Sequence, residues 1–245
     1  MSDAPLPGAP PPAPAPLPTG VPVLPHGPAR LRSPVGLGKA TAALLGLVVA
    51  TDLFAIWADR RMRDVASALV DGRTGEGIRH EADQADSLYS VAGYAQTGAL
   101  LATIVVFLVW FHRARVNAEV FDPFGHSQGR GWAVGGWFVP VLNLWRPRRI
   151  MLDIWDASIP QGSRITHGLV NLWWALWLTS LLADRVSMAE HRGARTALEI
   201  QHAAGQAVFA DAADIAAALL AILVVLRLTR MQNEKAHRGP VAPAV

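Results

Sequence analysis

The chain has no cysteine among its 245 residues. That excludes a disulfide-stapled fold, a cysteine zinc site and an iron–sulfur centre. Charge is scarce too: 17% of residues are Asp, Glu, Lys or Arg, where a soluble domain carries about 25%. Lysine is almost missing, two against twenty arginines, which with the many alanines points to a GC-rich bacterial genome. The eight histidines form no H-x-x-x-H or H-E-x-x-H pair, so neither a metal nor any other cofactor is expected. No basic segment precedes residue 30 and the first apolar run starts near Ala40. The expectation is an uncleaved first span rather than a cleaved signal peptide.

What is abundant is apolar length. Hydrophobic residues make up 51% of the chain and there are nine tryptophans. Four runs reach the roughly 20 residues needed to cross a bilayer: 40–58, 91–111, 165–183 and 206–226. They are apolar nearly all round, whereas a water-soluble bundle needs a polar stripe on each helix. A fifth stretch, 132–145, is short, contains Pro140 and Gly135–Gly136, and is flanked by arginines. It reads as a re-entrant or interfacial segment. Residues 149–158 alternate Ile150, Met151, Ile154 and Trp155 with Asp153 and Asp156 at helical spacing. They read as an amphipathic helix lying on the membrane surface. The fold class expected is all-α: a polytopic membrane protein with four transmembrane helices. The domain plan is a proline-rich disordered tail over 1–36, a membrane domain over 37–230 and a basic tail over 231–245.

Eleven of the eighteen prolines fall in residues 1–28, a composition suited to a solvated polyproline-II spacer. Lys and Arg counts orient the rest. With both termini in the cytoplasm, the inner side holds 14 and the outer side 8, as the positive-inside rule asks. The protein is accordingly expected in the bacterial cytoplasmic membrane. Its expected partners are anionic lipid headgroups at the inner face, with a protein partner or a second copy beyond them, and no nucleic acid. The loop 59–90 is expected to prolong the first helix as far as Gly72, and 184–205 to be helical.

Three carboxylates fall inside the runs: Asp52, Asp211 and Asp214. Each costs about 3 kcal/mol to place at the centre of a membrane helix. Their distances from the run ends put all three roughly 8–12 Å below one boundary. One reading is a proton or cation site between the first and fourth spans. The other is interfacial placement, with water or Arg60 reaching them. Gly125-His126-Ser127-Gln128-Gly129 spells G-x-S-x-G, but no buried strand precedes it. A glycine-rich loop is expected there, not a nucleophile elbow.

The most distinctive part of the chain is central. Phe107 and Trp110 lead to Arg113 and Asn117. Trp132, Trp137, Pro140, Asn143, Trp145 and Pro147 follow, then Trp155 with Ser158, then Trp173, Trp174 and Trp177. Seven of the nine tryptophans lie between 132 and 177. They suggest a plug at the inner leaflet, wedged by indoles, with Asn117 or Asn143 satisfying broken helix ends. The plug would pack and anchor the bundle, or would form a lipid or small-ligand pocket.

These motifs, F-L-x-W, the Arg and Asn pair, G-W-x-x-G-W-F-x-P-x-x-N-L-x-x-P and W-W-x-x-W, resemble the membrane-protein family catalogued as domain of unknown function 4328, over roughly residues 40–230. The resemblance implies a multi-span bacterial membrane protein and carries no activity. The leading functional expectation is a non-enzymatic scaffold or accessory subunit. A small transporter or channel component using the aspartates is the alternative. A membrane enzyme stands third, because no nucleophile–base pair is visible.

Overall fold

The computed structural model describes residues 30–160 and 166–238. Among them the regular structure is helical: α1 Val35–Val70, α2 Glu76–Phe121, α3 Trp132–Gly135, α4 Arg146–Ser158, α5 Gly168–Gly193 and α6 Ala197–Arg238, with a 3₁₀ turn at Leu142–Leu144. Most of the proline-rich tail, residues 1–29, lies outside the described residues.

The long helices follow from apolar runs without internal proline, and their ends from local chemistry. After α1, Gly72 and Gly75 adopt φ of +83° and +110°, a region that favours glycine. The Arg73 N–H returns to the Ala68 carbonyl at 2.9 Å to close the helix. Before α6, Glu199 accepts the N–H groups of Arg195 and Thr196 at 2.7 and 3.0 Å, while the Thr196 hydroxyl accepts the Glu199 N–H at 3.3 Å. This reciprocal capping box starts the helix sharply.

The four long helices stand in a curved row, α2–α1–α6–α5, each packed along the next. α2 and α5 close the row through the short elements between them and through two ring contacts, Tyr89 on His191 and Phe107 near Trp173. We call the end carrying the α1–α2 and α5–α6 turns the hairpin end, and the other the terminal end. A period of seven organises the seams. Gly38, Leu45, Asp52, Asp59 and Ala66 are buried on α1. Ile78, Ala85, Ala92 and Ala99 are buried on α2, and Ala204, Asp211, Ala218, Val225 and Gln232 on α6. Small residues at these seven-residue intervals let neighbouring backbones approach closely, as in a coiled coil.

Gly38 shows how tight the seam is. A Cβ there would collide with the Thr229 side chain. Gly38→Val is expected to destabilise the bundle by about 1–3 kcal/mol, measured as a lower unfolding midpoint in detergent. Gly46, with open space around it, is the matched control for the same substitution.

Three helices, α1, α2 and α6, are long and apolar enough to cross a membrane. The expected count of four is thereby corrected. The third expected run forms α5 from Gly168 onward, but its three tryptophans, Asn171 and Asp184 dilute its apolar character, so its own composition does not qualify it. Outward-facing Leu53, Val91, Leu101, Val105 and Leu219 are more than half or about half exposed, as lipid-facing side chains are.

At the terminal end a core of Trp110, Phe111, Ile150, Met151, Ile154, Trp155, Trp173, Val225 and Leu228 is buried. α4 is the amphipathic helix expected, yet it does not offer its apolar face to lipid. That face is covered by α2, α5 and α6, because Ile150, Met151 and Ile154 find protein partners there. Lys235 donates to the Ala157 carbonyl at 2.8 Å, a cation at the C-terminal end of α4. α6 itself continues through the start of the expected basic tail, to Arg238.

Candidate functional site: an aspartate cluster above an aromatic plug

The seven-residue seam brings carboxylates together. Asp52 on α1 and Asp211 on α6 accept hydrogen bonds from one amide nitrogen, Gln96 Nε2 on α2, at 3.0 and 2.9 Å. Asp59, two helical turns beyond Asp52, lies on the same buried face, and both are only 3% exposed. Asp52 Oδ2 and Asp59 Oδ1 are buried and have no hydrogen-bond partner. Asp214 sits beside Ser180 on α5, and Asp184 is within Coulomb reach of both Asp214 and Asp52. The Tyr89 ring, stacked on His191 at 4.7 Å, borders the group on its hairpin side.

The three aspartates singled out from sequence therefore do converge, and the structure adds Gln96, Asp59 and Asp184. The last two lie one residue past the expected span ends, at the start of the stretches 59–90 and 184–205. The signal for Asp59 was its spacing, seven residues from Asp52. None of the ion pairs among the described residues involves these carboxylates, so Arg60 does not neutralise them. Nor do any three of the described His, Asp and Glu residues assemble at metal-ligand range.

The central motif builds the terminal end. Asn117 is read by the chain entering α1: its Oδ1 accepts the Arg32 N–H at 3.0 Å and its Nδ2 donates to the Arg32 carbonyl at 2.8 Å. Arg113 donates to the Ser33 carbonyl at 3.3 Å. Asn117 also donates to Gln232 Oε1 at 3.2 Å, and Gln232 donates on to the Ala114 carbonyl and the Ser158 hydroxyl. Asn117 thus clasps the extended residues before α1 and the end of α6, instead of capping a broken helix. Below it Arg130 grips Glu119 through two bonds of 2.9 Å and Arg115 adds a third at 3.0 Å. Arg115 further donates to the Gln128 carbonyl at 2.7 Å, which fixes the loop after α2.

In that loop the G-x-S-x-G serine donates its hydroxyl and its N–H to Asp153 at 2.6 and 2.9 Å. The His126 imidazole lies within Coulomb reach of Asp153, but among the described residues it makes no hydrogen bond to this exposed tie to α4.

The segment 132–145 is irregular, as its Pro and Gly content requires. Val141 takes φ of +69°, a strained value for a β-branched residue. Phe138, Val141, Leu144 and Trp145 are exposed, and so is Pro140, whereas Asn143 lies half-buried in the 3₁₀ turn. Pro147 is buried in the first turn of α4, where its missing N–H costs nothing. Trp137 meets Phe107, Phe111, Trp174 and Trp177 edge-on at 5.4–5.9 Å. The Trp174 N–H donates to the Leu144 carbonyl at 3.0 Å, and Trp173 packs on Phe107 and Trp174. Arg146 lies 3.7 Å over the Trp132 ring, and Arg227 lies 5.6 Å from Trp155. The indoles of Trp137, Trp173, Trp174 and Trp177 form one aromatic cluster at the terminal end.

An all-helical chain with three helices able to cross a bilayer, buried acids and an aromatic plug belongs to the class of α-helical membrane proteins. Within it, the chain belongs to the family described as Domain of unknown function (DUF4328), whose profile matches residues 73–230. That stretch holds the whole central motif and the Asp211 side of the cluster, while α1 with Asp52 and Asp59 precedes it. No curated protein and no solved structure matches the chain.

Proposed function

We propose that this protein is a non-enzymatic accessory subunit of the cytoplasmic membrane whose aspartate cluster binds and releases protons from the hairpin side. The observation that carries the reading is Gln96 shared between Asp52 and Asp211, with unpartnered oxygens on Asp52 and Asp59 and no ion pair to them among the described residues. Several carboxylates in one buried site with no Lys or Arg need a counter-charge, and their spacing suits protons shared between oxygens better than a metal ion.

A receptor geometry fits better than a conduit. From Asp214 to Thr229 on α6 the buried residues are Ala217, Ala218, Ala221, Val224, Val225 and Leu228. That is about 22 Å of apolar helix at 1.5 Å per residue. The plug of Phe107, Trp110, Phe111 and Trp137 backs it. The buried hydroxyls of Thr103 on α2 and Thr41 on α1 are spent on their own helix carbonyls, Ala99 and Leu37, so a proton loaded at the cluster leaves by the way it came. In this reading α5, packed along α6, carries the chain back between the two ends beside the three apolar helices, the termini are cytoplasmic, and Arg113, Arg148 and Arg149 meet anionic headgroups.

Infrared spectroscopy of the protein in lipid tests it. The expected result is a protonated-carboxyl band at neutral pH that Asp52→Asn and Asp211→Asn each reduce and the double variant reduces furthest. Asp52→Asn is also expected to flatten the loss of thermal stability on going alkaline, since deprotonation then crowds fewer charges. A spectrum with no protonated carboxyl, unchanged in the double variant, overturns the proposal.

A further inference from the structure

The concave side of the helix row holds a half-open cleft of about 340 Å³. Its walls are Leu45 and Val48 of α1, Leu100 and Ile104 of α2, and Ala217 and Ala221 of α6. Its floor is aromatic: Phe107, Trp137, Trp173 and Trp177. One charged side chain lines it, Asp214 at the end nearer the hairpins. The mouth opens sideways between α2 and α5, between their ring contacts at Tyr89–His191 and Phe107–Trp173, past Leu100, 51% exposed.

We infer that this cleft binds a lipophilic organic cation, taken laterally from the bilayer. Three features select that occupant. The volume falls within the range of small-molecule pockets, about 300–1,000 Å³. The lining is apolar and aromatic, and aromatic faces attract cations electrostatically once water is excluded. The carboxylate supplies the opposite charge at one end, so an apolar body fits against the indoles with its charge directed to Asp214. A neutral acyl chain would use the walls and leave the acid unanswered. An anion of the same shape would meet Asp214 unfavourably. The inference rests on Asp214, which is not an acceptor of Gln96, although Asp52 of α1, Asp211 of α6 and Asp184 of α5 lie within Coulomb reach of it. Asp52→Asn, which disables that site, leaves the cleft lining intact.

The test uses the full chain in lipid nanodiscs and two probes of matched shape and opposite charge, tetraphenylphosphonium and tetraphenylborate, followed by tryptophan fluorescence. The expected result is saturable quenching by the phosphonium and none by the borate. Affinity is expected to fall as the pH is lowered. Asp214→Asn is expected to weaken binding by about tenfold or more, the scale of losing one charged partner in a desolvated contact. Asp52→Asn is expected to keep binding, so failure of the proton reading and failure of this one are told apart. Leu100→Trp, which fills the mouth from the lipid side, is expected to block access. It decides the matter if Asp214→Asn does not fold. Equal binding of both probes, or phosphonium binding indifferent to Asp214→Asn and Leu100→Trp, overturns the inference.

Discussion

Glu119→Gln is expected to cost the fold about 3–5 kcal/mol, the scale of breaking a buried ion pair from one side. The Glu119 side chain is 8% exposed and Arg115 4%, and Arg130 holds the same carboxylate through two bonds. Removing the negative charge leaves two guanidinium groups facing each other in a desolvated niche. The loop between α2 and α3 should loosen first, because Arg115 also anchors the Gln128 carbonyl. The measurement is the denaturation midpoint in a mild detergent, together with proteolysis of the loop around Ser127.

The pH dependence has a definite sign. The hydrogen bonds from Arg130, ahead of the nearby positive charges, hold the Glu119 carboxyl below the ordinary range. A carboxyl depressed on folding contributes stability at and above its unfolded value, about 4.3. That contribution is lost as pH falls through the lower folded value. Wild type should therefore lose stability on acidification through this group, and Glu119→Gln should lack that component.

Trp110→Ala is expected to be comparably severe, about 3–5 kcal/mol. Trp110 is fully buried at the crossing of α2 and α6, and its indole N–H donates to the Thr229 hydroxyl at 3.0 Å. The substitution opens a cavity in the terminal core and strips a partner from Thr229, which already sits against Gly38. Trp110→Phe separates the two effects: it restores most of the volume and should retain only the hydrogen-bond loss, about 0.5–1.5 kcal/mol. Thermal unfolding of both variants in detergent gives the two numbers. If they are equal, packing around Trp110 is not what holds α2 to α6.

Helix positions were legible in the sequence because apolar length and glycine punctuation are local signals. The continuation of α1 to Val70 and the helix around Ile150–Trp155 were readable for that reason. What α4 packs against was not: an apolar stripe is equally content with hydrocarbon or with Trp110 and Leu228, and only the tertiary fold chooses. α5 misled for the opposite reason. Its tryptophans and leucines look membranous, but indoles carry a polar N–H and here serve to pack the plug. The aspartate cluster was half readable. Asp52, Asp211 and Asp214 stood out as charges in greasy runs. Gln96 did not, since one neutral amide in a span is unremarkable until two carboxylates are seen to share it. Arg113 and Asn117 were visible as motif residues, but their partner, the extended backbone at Arg32 and Ser33, carries no side-chain signature at all.

The lengths of the rods carry a mechanical consequence. α2 alone has 46 residues, about 69 Å at 1.5 Å per residue, against a hydrocarbon slab of about 30 Å. More than half of that shaft must stand in water or headgroups, and it continues through both boundaries without a break. An uninterrupted shaft has no joint at the waterline. A torque or tilt applied to its protruding tip turns the submerged portion with it, like an oar through a rowlock.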